Sequence, residues 1–180
     1  MPKTTKIPVP GSDVTLDFTE AFGGVHYNNR TITLVFLSLK PWSTQMAQDS
    51  TVKNALHGQK MYVLFSDDPG YFWTGRVNVG DWEYYQGAGR VTITIDAEPY
   101  KLKSAETVVS GSGELTLTNS RMPVVPRVSA SASTTLSWDG YSVTISAGND
   151  QLIPQLVLEE GETEITASGE VTFRWREGSL

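Results

Sequence analysis

The stretch at residues 61–101 constrains the fold of this chain more than any other. Two runs rich in aromatic and β-branched residues flank Asp67-Asp68-Pro69-Gly70, a succession with a strong preference for turns. A third run alternates at period two, which places Val91, Ile93 and Ile95 on one face. The stretch therefore predicts a three-stranded antiparallel meander that forms the spine of an N-terminal domain.

The sequence before the meander predicts two further strands. Val14, Leu16 and Phe18 alternate with polar residues and indicate a short first strand. Residues 31–37 are β-branched and nearly continuously apolar, which is typical of a strand that is buried on both faces. We therefore expect residues 31–37 to occupy a central position in the sheet.

One α-helix is predicted, at about residues 43–57. Ser43 is a suitable N-cap, and Gly58 stands where a glycine commonly follows the last helical residue. An apolar stripe covers about a third of the helix circumference and is expected to pack on the sheet. The stripe consists of Trp42, Met46, Val52 and Leu56.

The second half of the chain predicts a separate all-β domain. The small and polar run that ends in Ser110-Gly111-Ser112-Gly113 suggests a domain boundary, so we predict domains at residues 1–105 and 106–180. Asp139-Gly140 lies between two alternating runs, which is a strong signal for a β-hairpin. Short strands at this spacing are typical of a β-sandwich. The predicted fold class is all-β with one α-helix: an N-terminal β-barrel or sheet domain followed by a β-sandwich.

Composition and motifs argue against several classes of function. The net charge of −6, without a basic stripe, argues against nucleic acid as the main partner. The chain has no cysteine, and its only histidines, His26 and His57, lack the spacing of metal ligands. It contains no phosphate-binding loop, no apolar run long enough to span a bilayer and no signal peptide at the N-terminus. We predict no catalytic, cofactor-binding or metal site, and a structural or binding protein rather than an enzyme.

A cluster of aromatic residues is the best candidate for a binding surface. Trp82, Tyr84 and Tyr85 flank a polar, glycine-rich turn. Exposed Trp and Tyr side chains are common in protein–protein interfaces, but large side chains are also needed to fill a core. Both interpretations, protein–protein contact and core packing, stay open for these three residues.

Several successions resemble the distal tail protein family of long-tailed bacteriophages, the siphophages. The family shows an early turn and strand, then an aspartate-rich turn, an aromatic residue, a Gly-Arg-Val-like step and a closing Asp-x-x-Pro-Tyr-Lys, in this order. The corresponding segments are Pro10-Gly11-Ser12-Asp13, Leu16-Asp17-Phe18, Tyr27-Asn28-Asn29-Arg30, Asp67-Asp68, Tyr71, Gly75-Arg76-Val77 and Asp96-Ala97-Glu98-Pro99-Tyr100-Lys101. Residues 158–180 are similar to the end of the family's second domain, so the resemblance covers both halves of the chain.

The resemblance implies a component of the tail tip and baseplate hub of the virion. The first domains would form a homohexameric ring that joins the major tail tube protein to the hub and adhesion device. The lumen would hold the tape measure protein and let DNA pass, without membrane insertion, and the second domain would be galectin-like. Family members usually carry a further segment before the equivalent of Lys6-Ile7-Pro8, where this sequence almost starts, and that segment often helps to close the ring.

Two other classes remain as alternatives. A carbohydrate-binding module for host-surface glycans predicts exposed aromatic residues on the second domain and monomeric behaviour. A cell-wall hydrolase predicts two carboxylates that face each other across a cleft, and the candidates are Glu159, Glu160, Glu162 and Glu164.

Overall fold

The computed structural model describes residues 1–21, 23–85 and 88–180, without the side chains of Trp42 and Tyr85. The chain forms two compact units. The first comprises Met1–Val63 and Trp73–Pro99, and the second comprises Leu64–Phe72 and Tyr100–Leu180.

This division differs from the predicted boundary at residues 105 and 106. Residues 100–105 belong to the second unit, and so does the excursion Leu64–Phe72. Backbone hydrogen bonds explain the difference, because Ser104 N donates to Gly70 O at 2.8 Å and Lys103 N donates to Glu177 O at 2.9 Å. A division based on composition cannot foresee a segment that returns to a later part of the chain.

The first unit contains one helix and most of the first six strands. These elements are β1 (Lys6–Pro8), β2 (Thr15–Asp17), β3 (Arg30–Ser38), α1 (Trp42–Leu56), β4 (Lys60–Val63), β5 (Tyr71–Tyr85, of which the first two residues belong to the second unit) and β6 (Ala88–Ala97). The predicted meander is confirmed: β4 pairs with β5 and β5 with β6, both antiparallel. Val91, Ile93 and Ile95 are all buried in the core, as their alternation predicts.

The prediction that residues 31–37 form a central strand is wrong. Among the described residues, β3 pairs with β6 alone and lies at the edge of the sheet. Ile32 and Leu34 pack against the core, whereas Val35 and Leu37 on the other face are exposed. The continuous apolar run therefore reflects an exposed surface on an edge strand, and not burial on both faces.

Helix α1 differs in part from its predicted packing. Ser43 lies inside the helix, Pro41 precedes it, and none of the described side chains caps its first turn. Val52 and Leu56 pack against the core as predicted, but Met46 is 57% exposed. The side chain of Trp42 lies outside the described residues. Gly58 has a φ of +79°, which confirms its predicted place after the helix end.

The second unit is built from the remaining strands. These are β7 (Lys101–Lys103), β8 (Thr107–Asn119), β9 (Arg127–Ala130), β10 (Thr134–Trp138), β11 (Tyr141–Ile145), β12 (Gly148–Leu152), β13 (Gly161–Trp175) and β14 (Gly178–Ser179). The long strands β8 and β13 pair along their length, β10 and β11 extend one half of the sheet, and β9 and β12 extend the other. One apolar core lies against both halves and includes Leu136 and Phe173, which are fully buried.

Two glycine-containing segments of the second unit show how local sequence sets its path. The run Ser110–Gly113, which has the composition of a linker, lies inside β8 and pairs with β13 where that strand carries a bulge. The predicted hairpin at Asp139-Gly140 is confirmed. Its φ values of +43° and +79° are those of a type I′ turn, which matches the twist of the flanking strands.

Candidate assembly surfaces

The residues that carry the sequence resemblance are in part structural partners of one another. Lys101 Nζ lies 2.7 Å from Asp68 Oδ2 and 4.5 Å from the ring centroid of Tyr71. The ion pair and the cation–π contact join the aspartate-rich turn to the closing Pro-Tyr-Lys step within the second unit. This part of the pattern therefore stabilises the fold.

The Gly-Arg step has a comparable structural role in the first unit. Gly75 is in register with Ala97 of β6 and Met61 of β4. A Cβ atom at position 75 would lie 2.6 Å from Ile95 Cγ2 and 2.8 Å from Asp96 O, closer than real side chains pack. Arg76 Nη1 donates a hydrogen bond to Gly58 O at 2.6 Å, which holds the end of α1 against β5.

The structure separates the three predicted contact residues into different environments. Trp82 is partly buried and packs against the core of the first unit, and its buried Nε1 has no hydrogen-bond partner among the described residues. Tyr84 lies further along β5, in register with Gly89, and half of it is exposed. The side chain of Tyr85 lies outside the described residues. A contact role for this set remains a prediction.

An apolar groove of about 720 Å³ opens between α1 and the sheet. Val91 and Ile93 line it from β6, Trp82 from β5 and Val52 from α1. Phe36 of β3 lies in register with Val91 at the mouth and is 49% exposed. The core face of the sheet therefore continues beyond the part that the helix covers.

The end of β3 exposes further apolar side chains on its other face. Val35 and Leu37 are exposed, Leu37 by 72%, and Leu39 follows directly after the strand. The outer edge of β3 also has no strand partner among the described residues. Unpaired edges that carry apolar side chains readily add a strand from another chain. The continuous apolar run of residues 31–37 does not by itself distinguish a central strand from an exposed edge strand.

A second exposed apolar surface lies on the hairpin of β1 and β2. Ile7 is in register with Leu16, and Val14 and Phe18 follow at intervals of two residues on the same face. These four side chains are between 41% and 59% exposed. The opposite face is polar and carries the ion pair of Lys6 and Asp17, at 3.9 Å. An amphipathic hairpin of two short strands is at best marginally stable on its own, and here its apolar face is open to solvent.

The second unit carries an open groove of about 640 Å³ at the β10–β11 hairpin. Tyr141 is 54% exposed, and its ring stacks on that of the buried Trp138 at a centroid distance of 5.7 Å. Glu114 of β8 and Glu164 of β13 line the same groove. Hydroxyl groups complete the lining, from Thr116, Ser137, Ser142 and Thr166.

One of the two histidines, His57, is held in a structural contact. His57 Nδ1 lies 3.2 Å from both the backbone N and O of Val79. Among the described residues, no group of three or more His, Cys, Asp or Glu side chains is placed to hold a metal ion. In the part of the chain that the structure describes, no helix is long and apolar enough to cross a membrane.

Glu177 is held by several polar contacts in the second unit. Burial raises the pKa of Glu177, but hydrogen bonds from Lys103, Thr107 and Ser120 outweigh burial, so the pKa lies below its ordinary value. Lys103 Nζ is 2.8 Å and Thr107 Oγ1 is 2.7 Å from Glu177 Oε1. The contacts join β7 and the start of β8 to the residues between β13 and β14.

Neither the protein-family models nor the curated proteins contain a match to this chain. Among solved structures, the chain is similar to the crystal structure of SPP1 Dit (gp 19.1), described as a paradigm of the hub adsorption apparatus in phages that infect Gram-positive bacteria. The TM-score is 0.73 at 15% sequence identity, and the match covers 100% of this chain and 89% of that chain. The expected resemblance to a distal tail protein is thus confirmed at the level of structure, and the chain has the fold of a distal tail protein of a long-tailed phage.

Proposed function

We propose that this protein is a structural component of the tail tip of a long-tailed bacteriophage, where it forms a hexameric ring between the tail tube and the baseplate hub. The observation that carries the proposal is the structural match over the whole chain to a protein of a phage hub adsorption apparatus. The sequence resemblance supports the same role independently, because it was based on local successions of residues and not on the fold.

The ring would have two kinds of neighbours. The major tail tube protein would stack on one side, and the hub with its adhesion proteins on the other. The tape measure protein would occupy the lumen, and DNA would pass through it during infection. In this role the protein needs no catalytic residue, cofactor or membrane insertion, and its place is the tail tip of the virion.

The exposed apolar surfaces of the first unit support self-association. The hairpin and the end of β3 each present several aliphatic and aromatic side chains that are about half exposed or more. Contiguous apolar surface of this kind on a small unit commonly marks a protein–protein interface.

Negative-stain electron microscopy of the purified full chain at high concentration tests the proposal. We expect six-fold rings with an open centre, and a mass near 118 kDa, six times the chain mass of 19.7 kDa, by native mass spectrometry. Particles that remain monomeric at every concentration would contradict the ring.

Glycan binding by the second unit is the second candidate function. The groove at Tyr141 favours it, because an exposed aromatic ring beside hydroxyl and carboxylate groups suits stacking on a sugar face with hydrogen bonds to its hydroxyls. We expect Tyr141→Ala to abolish binding of the full chain to cell-wall glycans, while Tyr62→Ala in the first unit leaves it unchanged. The full chain is needed, because a segment that begins at Gly113 would cut β8 in two.

The same assay separates binding from hydrolysis. A cell-wall hydrolase would release soluble fragments, and Glu164→Gln would abolish that release while glycan binding persists. Binding without turnover would support the carbohydrate-binding alternative.

A further inference from the structure

The exposed apolar side chains of the first unit fall mainly into two separate groups. One group lies on the β1–β2 hairpin and consists of Ile7, Val14, Leu16 and Phe18. The other lies at the end of β3, where Phe36 lines the apolar groove, Leu37 lies on the opposite face of the strand and Leu39 follows the strand. In the described residues, the lining of the groove includes no side chain of the hairpin, so the hairpin of the same chain does not fill it.

Each group offers an apolar face next to a backbone edge. The hairpin presents an apolar face with an ion pair on its reverse side, which suits one buried and one solvated face. The groove is concave, apolar at its floor, and bordered by the unpaired edge of β3. A hairpin strand laid along that edge would continue the sheet and bring its apolar face beside Phe36.

We propose that the β1–β2 hairpin of one copy docks along the β3 edge and covers the apolar groove of the next copy. This proposal rests on the ring proposed above and names the contact that would close it. The two surfaces differ from each other, so the contact is head-to-tail, and a head-to-tail contact produces either a closed ring or an open filament. A two-fold dimer would instead require each surface to pair with itself.

The chain contains no cysteine, which permits a clean test by disulfide cross-linking. The double variant Leu16→Cys with Phe36→Cys carries one cysteine on each proposed surface. After oxidation of the full chain, we expect a ladder of covalent species up to the hexamer on a non-reducing gel. Each single variant alone should remain monomeric on the gel, and an equal mixture of the two single variants should stop at dimers.

An association assay provides the second measurement. Leu16→Asp should raise the concentration of half-assembly at least 10-fold, because it places a carboxylate at the centre of the proposed contact. Met46→Asp is the matched control, since Met46 is also exposed in the first unit but does not line the groove. Thermal unfolding of both variants checks that the units remain folded.

The outcomes distinguish this inference from the proposed function. Rings that form without cross-links in the double variant and are insensitive to Leu16→Asp would overturn the docking and leave the ring intact. Dimers in either single variant would show that a surface pairs with itself, which also overturns the docking. Failure of the wild-type chain to assemble at any concentration would overturn the ring and the docking with it.

Discussion

Gly75 gives the sharpest test of how the first unit is packed. Gly75→Ala adds a single methyl group to the middle of β5, between β4 and β6. The added carbon would lie 2.6 Å from Ile95 Cγ2, 2.8 Å from Asp96 O and 2.9 Å from Ala97 Cα. Two of these three atoms belong to the backbone, so a change of rotamer cannot remove the clash.

The cost follows from forced separation of β5 and β6. Overpacking of this kind costs about 1–3 kcal/mol. Replacement of glycine also reduces the conformational entropy of the unfolded chain, which stabilises the folded state by about 0.4–1 kcal/mol. With the midpoints of the two ranges, about 2 and about 0.7 kcal/mol, the net loss in the free energy of unfolding is about 1.3 kcal/mol. The first unit has 63 residues before the excursion and 27 after it, 90 in all. For a unit of this size, the loss corresponds to a decrease in Tm of about 5–10 °C.

Calorimetry of the full chain measures the Tm, and hydrogen exchange of β5 and β6 assigns the transition to the first unit. Gly24→Ala is the matched control, because a Cβ there meets no atom of the described residues within 4 Å. We expect Gly24→Ala to change the Tm by no more than a few degrees. Equal Tm values for wild type and Gly75→Ala would refute the claim that close strand approach requires this glycine.

Three further predictions concern the second unit. Glu177→Gln should lower the free energy of unfolding at pH 7 by about 1–2 kcal/mol, because it removes a charged acceptor. The folded-state pKa of Glu177 is lowered, so its contribution is present above the ordinary value of 4.5 and is lost as the pH falls through the folded value. The free energy of unfolding, measured with urea between pH 7 and 3, should therefore change less with pH in Glu177→Gln than in wild type. Gly140→Ala should cost about 1–2 kcal/mol at its φ of +79°, and a thermal midpoint equal to wild type would contradict the type I′ turn. Phe173→Ala should cost about 3–5 kcal/mol in the same denaturation assay, because the ring is fully buried, and a loss below 1 kcal/mol would contradict that burial.

Local signals in the sequence predicted most of the secondary structure. The alternation of Val91, Ile93 and Ile95, the turn at Asp139-Gly140 and the glycine after the helix were all predictable, because each depends on neighbours a few residues away. The helix was placed nearly correctly for the same reason, although its N-terminal residue and one position of its apolar stripe were wrong.

Features that depend on distant residues could not be predicted in the same way. The edge position of β3 depends on which strands pair with it, and apolar content alone does not encode that choice. The run at Ser110–Gly113 has the composition of a linker but continues a strand, since its partner in β13 carries a bulge that accommodates it.

The candidate surfaces were predicted only in part. The aromatic cluster drew attention to Trp82, which does line the groove. The alternation of Val14, Leu16 and Phe18 predicts only an ordinary short strand, because a sequence does not show which side of a hairpin lacks a covering layer. The groove at Tyr141 is formed by the β10–β11 hairpin and by one face of β8 and β13. The hairpin was predictable from the sequence, but the pairing of β8 with β13 was not.

The excursion Leu64–Phe72 has a consequence for the time course of synthesis. Its residues emerge from the ribosome before their contacts exist, and Lys101, which pairs with Asp68, follows 33 residues later. At bacterial rates of translation the interval is roughly 2–7 s. During that interval β4 and β5, on either side of the excursion, can already pair. The excursion itself then forms a loop that still lacks its contacts with the second unit. A chain that stalls in this window would leave residues 64–72 without Lys101 and the other partners that hold them in the folded protein.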